Sequence, residues 1–246
     1  NNRQFQDSVR YFKFCEQKTK VAQVRLAAAY HRSRAHQMLR DTEGQVEALR
    51  SVVSVTGNNP YRDASLLLLA KAAMAEDDLD RAYQLYQELM ESEPTAENRE
   101  ILAEATINAA VIQAERGKPE EAVDLFERGL AMPGADASGR AIALVGVLQA
   151  LYDKGDYDGI IENYNRNATV LPESDARGKM LLLVGNAYRM KKIYFRAVEL
   201  YLMVEQDYPD TEAAFEAGYW KLYCFYLLED PDLADFANGF LKRWAK

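Results

Sequence analysis

The stretch "MLLLVGNAYRMKKIYFRAVELYLMVEQDYPDT", residues Met180–Thr211, decides the fold. Its first half places small or apolar residues at i, i+3, i+4 and i+7, and these are Leu181, Val184, Gly185 and Tyr188. That spacing covers one face of a 3.6-residue helix. A short polar turn follows, and the second half ends at Pro209, which cannot continue a helix. The stretch therefore predicts two helices joined by a short turn.

The second half of this stretch belongs to a repeat. Ala197, Tyr201 and Pro209 follow one another at gaps of four and eight residues, and similar triplets recur along the chain. The leading residues are Ala48, Ala82, Ala122, Ile160 and Ala197, at steps of 34, 40, 38 and 37 residues. Periods in this range are typical of stacked helical hairpins. The chain is therefore predicted to be all-α, with about thirteen helices and no sheet.

Small residues in the repeat have predicted structural roles. We expect Gly185 and Ala197 to be small because the two helix backbones cross closely there, with Tyr201 filling the space beside the crossing. Gly117 and Gly155 stand where a first helix ends, and a left-handed residue is common at that position. These residues predict compact hairpins with tight turns.

These residues resemble the tetratricopeptide repeat (TPR), whose signature is Leu-Gly and Tyr on a first helix, then Ala, an aromatic residue and Pro on a second. The resemblance implies a superhelical solenoid of about six antiparallel helix hairpins, preceded by one odd N-terminal helix. It divides a single predicted domain, 1–246, into a partial hairpin at 1–16, repeats at 19–58, 61–94, 96–134, 137–172 and 174–209, and a C-terminal capping hairpin at 211–246. His36 and Ile160 depart from the pattern, since each stands where a smaller residue is usual.

Two stretches carry a narrower resemblance. "AVELYLMVEQDYPDTEAA" (197–214) and "FANGFLKRW" (236–244) are similar to repeats of the bacterial outer-membrane assembly lipoprotein BamD and the Tol–Pal-associated YbgF proteins. This resemblance implies a scaffold of the bacterial cell envelope, and it favours a periplasmic or envelope location over a cytoplasmic one. No signal peptide is visible. Asn1 opens directly into a helical pattern, so removal of upstream sequence is an open alternative.

Charge and composition exclude several classes of protein. The 246 residues carry a net charge of −8, the wrong sign for a general nucleic-acid binder. Residues 1–40 hold nine Lys/Arg against two Asp/Glu, a net charge of +7. They are interpreted either as basic helices docking on an acidic scaffold or as a basic binding patch. No apolar run approaches the roughly 18 residues of a membrane-spanning helix.

The sequence contains no motif typical of catalysis. A phosphate-binding loop, a dinucleotide-binding glycine motif and a nucleophile elbow are all absent from it. His31 and His36 are five residues apart, which separates them by about 140° on a helix and prevents them from sharing a metal. We therefore predict no catalytic residue, no metal, no cofactor and no enzyme activity.

The TPR resemblance implies a peptide-binding groove lined by first-helix residues that hairpin packing does not use. Transferring the pattern selects Arg34, Gln37, Lys71, Asn108, Gln149, Lys179, Asn186 and Arg189. Lys179, Asn186 and Arg189 are predicted to form an exposed positive strip whose amide bonds a peptide backbone and whose cations meet a carboxylate. Replacing Lys179 and Arg189 together by Ala is then expected to leave folding intact. For each residue, a solvated helix face is the alternative.

The predicted function is a non-enzymatic protein–protein interaction scaffold that binds a peptide or protein on its concave face, in bacterial cell-envelope assembly. The alternative is a regulatory or sensor module of a longer chain that carries a catalytic or DNA-binding domain. Self-association is a further open possibility. Fold alone does not choose among these functions.

Overall fold

The computed structural model describes residues 2–167 and 175–244. Over these ranges the chain forms thirteen α-helices and no strand, so the all-α prediction is confirmed. The helices are α1 Asn2–Lys18, α2 Ala22–Leu39, α3 Thr42–Val53, α4 Arg62–Ala75, α5 Leu79–Met90, α6 Arg99–Glu115, α7 Pro119–Ala131, α8 Ala137–Lys154, α9 Tyr157–Asn167, α10 Asp175–Met190, α11 Tyr194–Asp207, α12 Glu212–Leu227 and α13 Leu233–Trp244. None of the described helices is long and apolar enough to cross a bilayer. Residues 168–172 and 174 of the predicted repeats lie outside the described residues.

Contacts divide the chain into two units, Asn1–Ile112 and Gln113–Lys246. In the first unit, each helix from α1 to α4 packs on the helix that follows it. In the second unit, α8 packs on α9, α10 on α11 and α12 on α13, and α10 also packs on both α8 and α12. The first helices of three successive hairpins therefore lie side by side in the second unit. The single domain over 1–246 and its repeat boundaries stay a prediction.

The turns between first and second helices share one backbone conformation. Each of six turns holds one residue with a positive φ between 53° and 76°, and these are Arg40, Asp77, Gly117, Gly155, Lys192 and Glu229. The left-handed conformation predicted at Gly117 and Gly155 is confirmed. The other four turns adopt it at a residue with a side chain, which costs roughly 1–2 kcal/mol. Because the conformation recurs despite that cost, it belongs to the hairpin geometry rather than to glycine.

Aromatic rings of the second helices pack directly on glycines of first helices. A Cβ added at Gly185 would lie 2.7 Å from Cε1 of Tyr201, and one added at Gly146 would lie 2.3 Å from Cε2 of Phe126. Ring atoms are the nearest neighbours in both cases. The expected cause of the small residue at Gly185, a close crossing of two backbones, is therefore wrong. The ring of Tyr201 occupies that space.

Gly146→Ala is expected to lower the free energy of unfolding by about 1–3 kcal/mol, because an added methyl group overpacks a well-filled core. Phe126 is only 2% exposed, so its ring has little room to move away. Gly239→Ala in α13 is the matched control, since an added Cβ there meets nothing within 4 Å. Alanine is the better helix former, so the control should be neutral or slightly stabilising. Urea denaturation checks both, and equal stability of the two variants would contradict the prediction.

Candidate functional site

Three first helices of the second unit form the walls of an open cavity. Its volume is about 380 Å³, and α8, α10 and α12 each contribute to its lining. The lining residues are Val145, Gln149 and Tyr152 from α8, Lys179, Leu182, Leu183 and Asn186 from α10, and Glu212, Ala213, Glu216 and Trp220 from α12. The volume lies within the range of roughly 300–1,000 Å³ that is usual for ligand pockets. Three of the eight predicted site residues, Gln149, Lys179 and Asn186, are brought together here.

Hairpin packing explains which residues of α10 reach the cavity. Met180, Leu181, Val184 and Ala187 are all at most 2% exposed and lie in the core. Lys179 is exposed, while Leu182 and Leu183 are each 7% exposed and form an apolar floor of the cavity. The same helix periodicity that builds the core thus leaves a polar residue beside an apolar surface.

The charges around the cavity are of both signs. Lys179 on α10 has no ion pair with another described residue, and the same holds for Glu212 and Glu216 on α12. Gln149 is exposed, and its Nε2 donates to Oδ1 of Asp153 at 2.9 Å. The exposed positive strip expected from the sequence is not formed, because Asn186 is buried and Arg189 is only partly accessible, and two carboxylates of α12 line the same cavity.

Asn186 has a structural partner as well as a place in the cavity wall. It is 6% exposed, and its Oδ1 accepts a hydrogen bond of 2.7 Å from the hydroxyl of Tyr201. Burial raises the pKa of Tyr201 above its usual value, so this hydroxyl stays a donor. Asn186 therefore joins the cavity wall to the hairpin core.

Arg189 covers the aromatic end of the cavity. Its guanidinium carbon lies 3.8 Å from the centroid of the Trp220 ring, and Nη2 donates to the Tyr152 hydroxyl at 3.5 Å. Its Nε is buried without a hydrogen-bond partner among the described residues. Burial raises the pKa of the nearby Cys224 thiol to about 11, against the opposing effect of the Arg189 charge.

The partial burial of Arg189 changes one expectation. The joint replacement of Lys179 and Arg189 was expected to be harmless because both side chains would be exposed. Arg189 instead stacks on Trp220 and is only partly accessible. Its replacement therefore removes packing as well as charge, and Lys179 is the better residue with which to test binding.

The other four predicted residues lie in the first unit. Arg34 and Gln37 are exposed on α2. Lys71 is exposed and forms an ion pair with Glu104. Asn108 is half-buried and its side chain hydrogen-bonds Tyr86. A role for these residues in peptide binding stays a prediction.

Sequence reasoning missed the α12 wall of the cavity. Glu212, Glu216 and Trp220 belong to the last hairpin, from which the repeat pattern selected no site residue. Gly185 and Gly218 are 33 residues apart, and an added Cβ at each would meet an aromatic ring of the following helix. That offset aligns Glu212 with Lys179, so the spacing of these two glycines was the available signal.

Comparison with known proteins identifies the repeat. A family model of the tetratricopeptide repeat matches residues 64–96. A tetratricopeptide repeat protein from Parabacteroides merdae superposes with a TM-score of 0.65 at 13% identity, over 89% of this chain and 79% of that one. The chain has the tetratricopeptide-repeat fold. The resemblance to TPR proteins and the fold class are thereby confirmed.

Two further solved structures share the TPR fold. MamA gives a TM-score of 0.57 at 18% identity, over 74% of this chain and 91% of MamA. YrrB, described as a TPR protein with an unusual peptide-binding site, gives 0.62 at 12% identity, over 84% of this chain and 96% of YrrB. At these identities the likeness concerns the fold alone. No curated protein matches the sequence. A TPR fold suggests a protein–protein interaction scaffold and is generally a non-catalytic module.

Proposed function

We propose that the protein is a non-enzymatic interaction scaffold that binds an extended peptide segment of a partner protein in the cavity between α8, α10 and α12. The observation that carries the proposal is the lining of this cavity, which combines an apolar floor with charged groups that form no ion pair with another described residue. Such a combination is typical of sites that bind by apolar burial and orient the ligand by a few polar contacts. YrrB, a protein of the same fold, is described as having a peptide-binding site.

We expect the apolar floor of the cavity to contribute most of the binding free energy of the peptide. Leu182, Leu183 and Ala213 are buried, and Val145 on α8 is half-buried. An apolar side chain of the peptide that packs on these residues would itself be removed from water. Burial of one such side chain contributes roughly 1.5–3 kcal/mol.

We expect the polar residues at the rim of the cavity to orient the bound peptide. Lys179 offers three donors to a carboxylate of the peptide, and Gln149 offers an amide to its backbone. Glu212 and Glu216 on the neighbouring helix α12 repel a second acidic group and attract a basic one. The peptide that fits best therefore carries an acidic group near α10 and a basic group near α12.

We further propose a bacterial cell-envelope assembly complex as the cellular setting. The support is the similarity of residues 197–214 to repeats of BamD and YbgF proteins. Cross-linking in the native cells tests both proposals, because it captures the partner and shows where the partner resides.

The cross-linking experiment replaces Gln149 with a photoreactive phenylalanine derivative, and the cross-linked partner is identified by mass spectrometry. The same derivative at Glu162 is the matched control, since Glu162 is exposed on α9 and does not line the cavity. A partner captured at both positions with equal yield would contradict the proposal.

Lys179→Glu is expected to weaken binding of the captured partner about tenfold or more, because a charge-assisted hydrogen bond contributes roughly 1.5–3 kcal/mol. The free energy of unfolding should change by no more than about 0.5 kcal/mol, since Lys179 is exposed. Calorimetric titration with the partner's cross-linked segment measures the affinity, and thermal denaturation measures the stability. Unchanged affinity would mean that Lys179 belongs to a solvated helix face.

A further inference from the structure

Five exposed side chains form a stripe along α12. Glu212, Glu216, Tyr219, Tyr223 and Tyr226 follow one another at gaps of four, three, four and three residues, which places them on one face of the helix. The three tyrosines are 52%, 42% and 64% exposed. We call these five residues the α12 stripe. Aromatic rings exposed in a row are unusual on a protein surface and indicate an interaction site.

Trp220 connects the α12 stripe to the peptide cavity. Its ring meets Tyr219 edge-on at a centroid distance of 4.9 Å and meets Tyr223 edge-on at 6.0 Å. Tyr223 and Tyr226 follow at 6.5 Å with their rings inclined by 31°. Because Trp220 also lines the cavity, the aromatic surface continues from the cavity along the helix. These contacts hold the rings in place before any ligand arrives, which lowers the entropy lost on binding.

Carboxylates flank the tyrosines at both ends. Glu212 and Glu216 precede them, and Glu229 and Asp232 follow in the turn after α12; none of the four has an ion pair with another described residue. The one Lys or Arg in residues 212–232, Lys221, forms an ion pair with Glu205. A complementary ligand therefore has an apolar centre and a basic residue near each end.

We propose that the α12 stripe binds a basic, proline-rich peptide in the polyproline II conformation. Tyr219 and Tyr226 are separated by about 10.5 Å along the helix axis. One polyproline II turn of three residues advances about 9.3 Å, so prolines on one edge of the peptide match the ring spacing. A polyproline II helix is preformed and docks on aromatic-lined surfaces at little entropic cost. The inference rests on the proposed function, since Trp220 and both glutamates belong to the peptide cavity.

The test measures binding of a fluorescein-labelled peptide that carries a proline at every third position, leucines between the prolines and an arginine at each end. Fluorescence anisotropy should show saturable binding to the wild-type protein. Replacing both Tyr219 and Tyr226 by Ser should weaken binding about tenfold, because each lost ring contact accounts for a several-fold change. Replacing both by Phe should leave the affinity close to that of wild type. Tyr11→Ser is the matched control, since Tyr11 is 65% exposed on α1, and it should have no effect.

Two altered peptides test the chemistry of the ligand. A peptide with alanine in place of each proline, and a peptide with glutamate in place of each arginine, should each bind about tenfold more weakly. An alanine peptide that binds as tightly would overturn the proposal in favour of a helical ligand. These comparisons use the wild-type protein, so they decide the question even if the Ser variant fails to fold.

Light scattering of the protein alone provides a further decisive result. A wild-type dimer that becomes a monomer in the Ser variant would overturn the proposal, because the α12 stripe would then be a contact between two copies.

Lys179→Glu separates this inference from the proposed function. If Lys179→Glu reduces capture of the cellular partner while the proline peptide never binds, the peptide site in the cavity is supported and the proposal for the α12 stripe is wrong. If the proline peptide binds through the tyrosines while the photoreactive derivative at position 149 cross-links no partner, the proposed peptide site in the cavity is wrong and the proposal for the α12 stripe is supported.

Discussion

Tyr201→Ala is expected to lower the free energy of unfolding by about 3–5 kcal/mol, in the range for truncating a buried aromatic residue. Tyr201 on α11 is 0% exposed and its ring packs on Gly185. The truncation leaves a cavity between α10 and α11, and it removes the hydroxyl that donates to buried Asn186 at 2.7 Å. Urea denaturation followed by circular dichroism measures the change.

Two control variants separate the causes of this loss. Tyr201→Phe keeps the ring but leaves the Asn186 oxygen without its donor, and it should cost about 1–3 kcal/mol. Tyr226→Ala removes a ring that is 64% exposed, and it should change stability by no more than about 0.5 kcal/mol. If Tyr201→Ala lowers the free energy of unfolding no more than Tyr226→Ala does, the packing of Tyr201 between α10 and α11 is wrong.

Glu16→Ala is expected to lower the free energy of unfolding of the protein by about 3–5 kcal/mol, because it leaves a buried guanidinium without its main partner. The side chain of Arg32 on α2 is 4% exposed. Its Nε donates to Oε1 of Glu16 at 2.7 Å and its Nη2 donates to Oε2 at 3.2 Å. Glu47 on α3 lies 3.4 Å from Nη1 but is 67% exposed, so it compensates only in part.

The matched control for this pair is an exposed one. Asp7→Ala breaks the ion pair between Asp7 and Arg10, and the two side chains are 65% and 81% exposed respectively. The change should alter the free energy of unfolding by less than about 1 kcal/mol. Replacing Glu16 and Arg32 together by Met should also be far milder than Glu16→Ala, since no unpaired charge then stays buried. A double variant as unstable as the single one would show that the cost comes from lost packing instead.

The turns show how far sequence patterns reach. Gly117 and Gly155 predict a residue in the left-handed conformation, because glycine adopts this conformation without steric cost. Asp77 and Lys192 adopt the same conformation and carry no such signal. There the packing of the two helices dictates the turn, and the side chain tolerates the strain. Helix count follows from periodicity, whereas the geometry of an individual turn follows from the helices that it joins.

The candidate site divides in the same way. The register of α10 predicted Lys179 and Asn186 on one face of that helix, and both residues line the cavity. It did not show that Asn186 serves the core through Tyr201, because that contact depends on the side-chain direction of another helix. It also could not place Trp220 beside Arg189, since these residues are 31 positions apart and meet only when α12 packs on α10.

The sequence by itself determined the all-α class, the helix count and the hairpin repeat of this TPR-fold protein, because the period of small and apolar residues is written along the chain. Only the tertiary structure decided which polar residues meet. Lys179, Glu212 and Glu216 line the same cavity because three first helices lie side by side. Periodicity within one helix carries no information about the residue opposite it on the next.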